Sequence, residues 1–272
     1  MSKLFCRSTL NYVPSEAGGA RSQIEVEILD GRAASLPGWQ ECGFELVSHA
    51  SAVTDWDDDV QIAAVHYAEI EELARKMTGS DHALVSGHIK RNPAEANRHQ
   101  QLSPITFVHS DFADGHAEVI RNSYKDPREG SEAALERNGV TSSTVEDAPR
   151  IVILQFWRNL GLAKMDYPLA WCDARTVARD QARAFHVTNY AGTGANFDAL
   201  GVTAPADVSE HKWYGFPELR PDEAVAFRTY DTDLVRAGAT YFTPHSAFRD
   251  PEVEIGQPSR FSIEMRATCL FV

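Results

Sequence analysis

The stretch SQIEVEILDGR alternates apolar and polar positions and ends in Asp-Gly, a pattern that predicts a strand running into a turn. After the acid run Asp57-Asp58-Asp59 the period changes. Ile62, Val65, Ile70, Leu73 and Met77 recur at helical spacing, the acids suit the positive end of a helix, and Gly79 stands where a C-cap belongs. This helix is expected to buttress a sheet. ALVSGHIKR follows as a strand entering a basic turn, with a polar loop from Arg91 to Gln101. In ITFVHSD, Ile105, Phe107, His109 and Asp111 share one parity, so a strand here turns an apolar face inward that ends in an imidazole and a carboxylate. RIVILQFWRNL is apolar enough for a central strand, with Trp157 and Arg158 expected at its end, near the mouth of a pocket. In the last run, RFSIEMRATCLFV, Arg260, Ser262, Glu264 and Arg266 fall on one face and Phe261, Ile263 and Met265 on the other.

Between His109 and RIVILQFWR the pattern predicts a helical insert at about 115–139, with helices from Gly115 to Tyr124 and Glu129 to Asn138. Asp126-Pro127 separates the two, and Gly139 stops the second. Such an insert is expected to cover the mouth of the pocket. Pro221, followed by Asp222 and Glu223, predicts a short helix through Arg228. NYAGTGANF is Gly-rich without the strand and helix of a phosphate loop, and reads as a lid or turn. The interior shows no linker, repeat or low-complexity tract, so residues 1–272 are expected to form one mainly β domain with flanking helices.

The candidate chemistry lies in the inward polar positions. A single His-x-Asp is usually a surface or turn feature, and a lone downstream His carries no more weight. What raises the set is its order: His109 and Asp111, then His245 beside a Pro, then Arg260-x-Ser262 on a terminal strand. Two imidazoles and one carboxylate can hold ferrous iron on one face and leave three positions open, enough for a chelating 2-oxo acid and dioxygen. The distal carboxylate of 2-oxoglutarate then needs a buried partner, and a guanidinium supplies paired donors. Arg260 with Ser262 fits, and Arg266 is the alternative. His211 competes with His245 as third ligand, whereas His88, His116 and His186 read as helix-end or loop residues. Trp157 and Arg158 are candidates for the substrate pocket, Arg158 either meeting an acidic substrate or pairing with an Asp or Glu. No catalytic group beyond the metal ligands is expected.

Several longer runs resemble one family. GFELVSHASAVTDWDD, YAEIEELARKMTGSDHALVSGHIKR, FVHSDFADG, ILQFWRNL, YPLAWCDARTV, EHKWYGFPELRPDEAVAFRTYD, PHSAFRDP and RFSIEMR are similar to segments of the asaB-type hydroxylase/desaturase family, which includes gibberellin-desaturase-like and cephamycin-cluster methoxylation-like proteins. The resemblance implies a double-stranded β-helix, or jelly-roll, barrel and an Fe(II)/2-oxoglutarate-dependent oxygenase of specialised-metabolite biosynthesis. It implies His109, Asp111 and His245 as iron ligands and Arg260 with Ser262 as the co-substrate clamp. The expected outcome is C–H hydroxylation, desaturation or oxidative ring closure.

Composition narrows the partners. A formal charge of −13 disfavours nucleic acid and anionic membrane, so a small-molecule substrate and dioxygen are expected, with a homodimer left open. Cys6, Cys42, Cys172 and Cys269 form no C-x-x-C pair and fit buried thiols of a cytoplasmic protein. The N-terminus lacks a long apolar region. G-x-S-x-G and H-E-x-x-H are absent, which weakens hydrolytic readings. Two alternatives remain: a cupin-like iron dioxygenase that needs no co-substrate, with Arg260 paired to Glu264, and a non-catalytic barrel accessory to a biosynthetic cluster. The second would keep costly buried polar groups to no purpose.

Overall fold

A computed structural model describes residues 3–16, 18–256 and 259–272. Among them run the strands β1 Leu4–Tyr12, β2 Ser22–Asp30, β3 Phe44–Ser48, β4 His82–Leu84, β5 His88–Arg91, β6 His109–Ser110 and β7 Arg150–Asn159. The second half supplies β8 Leu169–Cys172, β9 Ala182–Tyr190, β10 Ala195–Val202, β11 Trp213–Gly215, β12 Glu223–Asp231, β13 His245–Ala247 and β14 Ser262–Phe271. They form an eight-stranded sheet in the order β1-β2-β11-β8-β13-β6-β10-β9 and a six-stranded sheet in the order β3-β12-β7-β14-β4, with β5 also on β14. The two sheets face each other as a jelly roll.

Alternation along β7 and β14 sets what each layer sees. Val152, Leu154 and Phe156 join Ile263, Met265, Ala267 and Cys269 in an outer apolar cluster beneath the helical stretch Asp59 to Thr78, through Ile62, Ile70 and Ala74. Asp58 caps that stretch by accepting from the amides of Val60 and Gln61, and Gly79 ends it at φ 71°, a conformation a Cβ would oppose. The opposite parity turns Gln155, Glu264 and Arg260 toward the barrel interior.

The segment read as a helix from Pro221 is a strand. Pro221 and Asp222 stay in the turn, and all nine residues of β12 are buried between β3 and β7. A local first-turn signal loses to the burial of Val225 on one face and Ala226 on the other. ALVSGHIKR is two strands, not one: β4 and β5 both lie along β14 with Val85 to Gly87 between them. The polar loop contains a short helix, Pro93–Arg98, capped by Asn92. NYAGTGANF is the β9–β10 hairpin turn, with positive φ at Asn189, Ala191, Gly192 and Gly194. Helices His116–Lys125 and Glu129–Asn138 precede β7 and bury Ile120, Tyr124 and Leu135 in the main core.

Candidate metal centre and its arginines

β6 and β13 are neighbours in the large sheet, and their pairing sets His109 directly opposite His245. Their ring centroids are 4.4 Å apart. Each imidazole is oriented by the same device, a bond from Nδ1–H to the carbonyl two residues earlier: Phe107 O at 2.8 Å for His109 and Thr243 O at 3.0 Å for His245. Both rings therefore turn an Nε2 lone pair inward, as a metal-ligating histidine requires. Asp111 Oδ1 lies 3.8 Å from each Nε2, so all three ligand atoms converge on one point. Burial pushes the His109 imidazolium down to about 3, and burial likewise lowers His245, so both are neutral donors. Burial opposes ionisation of Asp111, but Arg266 and the two imidazoles hold its carboxyl well below the usual range.

The other wall of the site is β14. Arg260 Nε donates to Ser262 Oγ at 2.8 Å, and its guanidinium lies over the Trp157 ring at 5.1 Å. Among the described residues its Nη1 is buried without a partner, and burial together with the charge of Arg91 pushes its pKa down to about 9. Two further guanidinium groups have carboxylates. Arg91 holds Glu264 at 3.0 Å, and Arg266 holds Asp111 Oδ2 with bonds of 2.8 and 3.2 Å from Nη2 and Nε. Arg260 alone of the three lacks one. It lines the same small cavity as His109, Asp111, His245 and the unpartnered carbonyl of Gln155.

Beside the triad opens a larger cavity of about 360 Å³. Ile105, Phe107, Phe185, Val187, Phe197 and Ala199 make its apolar wall, while Arg91, Tyr190 and Arg266 supply polar groups. Its rim is the β9–β10 hairpin and the segment 100–107, and no residue of 115–139 lines it. The helical insert meets this rim from outside: Arg128 donates to Thr193 O of the hairpin and lines an adjoining cavity with Tyr190, Phe197 and Arg266.

Residues 6–270 match the family model YDMC, an oxidoreductase/YMDC permease-like domain. The chain belongs to this oxidoreductase family. It is 29% identical over 233 residues to the hydroxylase/desaturase efuI of Hormonema carpetanum, covering 82% of this chain and 75% of that protein. It is 26% identical over 219 residues to the Fe(II)/2-oxoglutarate-dependent dioxygenase nvfI of Aspergillus novofumigatus, covering 77% and 68%. To the gibberellin cluster GA4 desaturase of Gibberella fujikuroi it is 24% identical over 279 residues, covering 82% and 80%. The resemblance read from the sequence runs stands with these relatives. A solved structure of the iron and alpha-ketoglutarate-dependent endoperoxidase NvfI superposes with a TM-score of 0.75 at 22% identity, over 99% of each chain, which establishes the jelly-roll fold.

In this family member several expected site residues fall elsewhere. Arg158 has the opposite parity to Gln155 and Trp157 and points out of the barrel, so it neither lines the cavity nor pairs with an acid. It donates to His49 Nδ1 at 2.6 Å, to His49 O at 2.9 Å and to Pro221 O. Trp157 lies inside, but beneath Arg260 and against Trp171, away from the larger cavity. His211 bonds Tyr12 and Gln181 and stays apart from the triad. His88 bonds Tyr67 and Asp59, His186 bonds Asp198, and His116 stacks on Phe112 at 3.7 Å. Sequence reasoning missed Arg91 and Gln155. A glutamine inside the apolar run RIVILQFW was the available signal for the second; the first depends on β5 pairing with β14, which no local pattern shows.

Among the described residues a second trio could hold a metal ion by distance, His49, His66 and Glu69. There Arg158 occupies His49 Nδ1, and His66 Nδ1 bonds Glu69 Oε2 at 2.7 Å.

No helix among the described residues is long and apolar enough to cross a membrane.

Proposed function

We propose that the chain is an Fe(II)/2-oxoglutarate-dependent oxygenase acting on a small molecule in specialised-metabolite biosynthesis, by C–H hydroxylation, desaturation or oxidative ring closure. The observation that carries the reading is Arg260, a buried guanidinium without an anion, opening into the cavity onto which the three ligand atoms converge. An isolated buried charge is costly, and a dicarboxylate co-substrate relieves that cost while its other end reaches the metal. The relatives named hydroxylase/desaturase and Fe(II)/2-oxoglutarate-dependent dioxygenase support the same chemistry.

The donor set fits ferrous iron: two neutral imidazoles and a carboxylate, with the remaining positions open. When bound, iron with 2-oxoglutarate and dioxygen supplies the oxidising power for removing hydrogen from carbon. The protein's share is arrangement. His109 and His245 present Nε2, Asp111 presents Oδ1, Arg260 with Ser262 anchors the distal carboxylate, and the apolar wall of the larger cavity orients substrate and excludes water. Gln155 and Trp157 sit beside the clamp with polar atoms to spare.

Titrating metal-free protein under argon with Fe(II) and then 2-oxoglutarate tests the assignment. A weak visible charge-transfer band that is lost in His245→Ala is the expected result. Iron bound without the band would favour a co-substrate-independent dioxygenase, and no iron binding would remove the triad reading.

A further inference from the structure

Asp111 is gripped asymmetrically. Oδ1 faces both imidazoles at 3.8 Å, while Oδ2 accepts two bonds from Arg266, at 2.8 and 3.2 Å. Among the described residues no other side chain or amide bonds this carboxylate. Arg266 is held in turn. Its Nη2 lies 3.5 Å from Glu264 Oε1, and Glu264 is pinned by Arg91, which also donates to Gln101 O, Ser103 O and the Tyr190 hydroxyl. The Phe112 ring lies against the Arg266 guanidinium at 5.7 Å.

A carboxylate beside a divalent ion can bind through one oxygen or through both. In the second case it consumes a position that an incoming ligand needs. Taking the triad as the iron site proposed above, we infer that Arg266 is a positioning residue that keeps Oδ2 out of the ligand set, so that Asp111 binds through Oδ1 alone and a position stays open for the co-substrate. This separates Arg266 from Arg260. Arg260 meets the co-substrate itself, whereas Arg266 acts through Asp111.

The two roles predict different signatures in the Co(II)-substituted protein. A neutral Gln at 266 lacks the paired cationic donors, which frees Oδ2 to turn to the metal. Arg266→Gln is expected to bind Co(II) at least as tightly as the parent, since it gains a ligand atom and loses a nearby cation. Its visible d–d spectrum is expected to change, because Oδ2 either replaces a solvent ligand or adds a ligand atom. Its affinity for 2-oxoglutarate, measured by calorimetry on the Co(II) form, is expected to fall about tenfold, in the range of outer-shell effects on metal sites. Arg266→Lys keeps one cationic donor on Oδ2 and should fall between, and it carries the test if the Gln variant does not fold. Arg260→Gln should weaken 2-oxoglutarate with the Co(II) spectrum unchanged.

Several results overturn the inference. An unchanged Co(II) spectrum with weaker 2-oxoglutarate would make Arg266 a direct contact instead. Weaker Co(II) binding would make it a structural support of the ligand. Parent-like values throughout would leave it no role. A parent protein that binds no Co(II) would remove the iron site and this inference together.

Discussion

Among the described residues two places bring two histidines and a carboxylate within 4.8 Å: His109, Asp111 and His245 inside the barrel, and His49 with His66 and Glu69 of the outer helical stretch. Residue types and distances barely tell them apart. Their hydrogen bonds do. In the first group each Nδ1–H is spent on a main-chain carbonyl, so both Nε2 lone pairs face inward with no competing donor. In the second, Arg158 donates to His49 Nδ1, which leaves that ring's other nitrogen carrying the proton and nothing to offer a cation. Ser51 and His66 both bond Glu69 Oε2, so the carboxylate is already satisfied. Arg158 also sets a buried positive charge beside the trio, over the Trp56 ring at 5.7 Å. The second group is a finished hydrogen-bond network, whereas the first leaves both Nε2 atoms and Asp111 Oδ1 facing one point without a hydrogen-bond partner.

The comparison breaks most sharply at the ligands. His109→Ala and Asp111→Ala should each reduce Fe(II)-dependent succinate release from 2-oxoglutarate to background, while His49→Ala leaves metal content at the parent's value. Metal analysis of the purified variants alongside the succinate assay checks this. Metal lost from the His49 variant, or retained activity in either triad variant, would reverse the two assignments.

A smaller effect belongs to Arg260, proposed above to hold the co-substrate. Arg260→Ala removes charge-assisted hydrogen bonds of roughly 1.5–3 kcal/mol, equivalent to a loss of 2-oxoglutarate affinity of about 10- to 150-fold, with Fe(II) affinity little changed. Calorimetric titration under argon separates the two. Equal losses of iron and 2-oxoglutarate would place Arg260 in the support of the barrel and not in the clamp.

The first group was legible because its members follow local rules. His109 and Asp111 share strand parity with Ile105 and Phe107, and the polar face of β14 shows as Arg260, Ser262, Glu264 and Arg266 against Ile263 and Met265. What the sequence left ambiguous was the division of labour among these arginines, since only the facing of the two sheets brings Arg266 to Asp111 and leaves Arg260 without an anion. The second group was not legible at all, because His49 meets Arg158 across strands that are far apart in the chain. Arg158 itself was misplaced by its position at a strand end, although alternation from Gln155 already assigned it to the outer face. The strand β12 was misread for the opposite reason. A local helix-start signal at Pro221 was followed where burial on both sides decides the conformation.

The smallest effect concerns protons, and it shows what a finished network costs at acid pH. His66 is buried, and burial pushes its pKa down from 6.5 to about 4 despite the bond to Glu69. The unfolded chain takes up this proton as pH falls below about 6.5, and the folded chain does not until about 4. Between those values the unfolded state binds more protons, so stability rises with pH across the window and is lost on acidification. Going from pH 7 to pH 5 should remove about 1 to 2 kcal/mol through this group. Other buried histidines, His116 and His211 among them, contribute in the same direction, so the parent's total loss is not diagnostic. The diagnostic quantity is a difference. His66→Gln keeps a neutral donor for Glu69 but has no proton to gain, so its urea stability should fall less between pH 7 and pH 5 than the parent's. An equal fall in both proteins would mean that His66 already titrates normally in the fold, and that the outer trio is more open to water than its hydrogen bonds indicate.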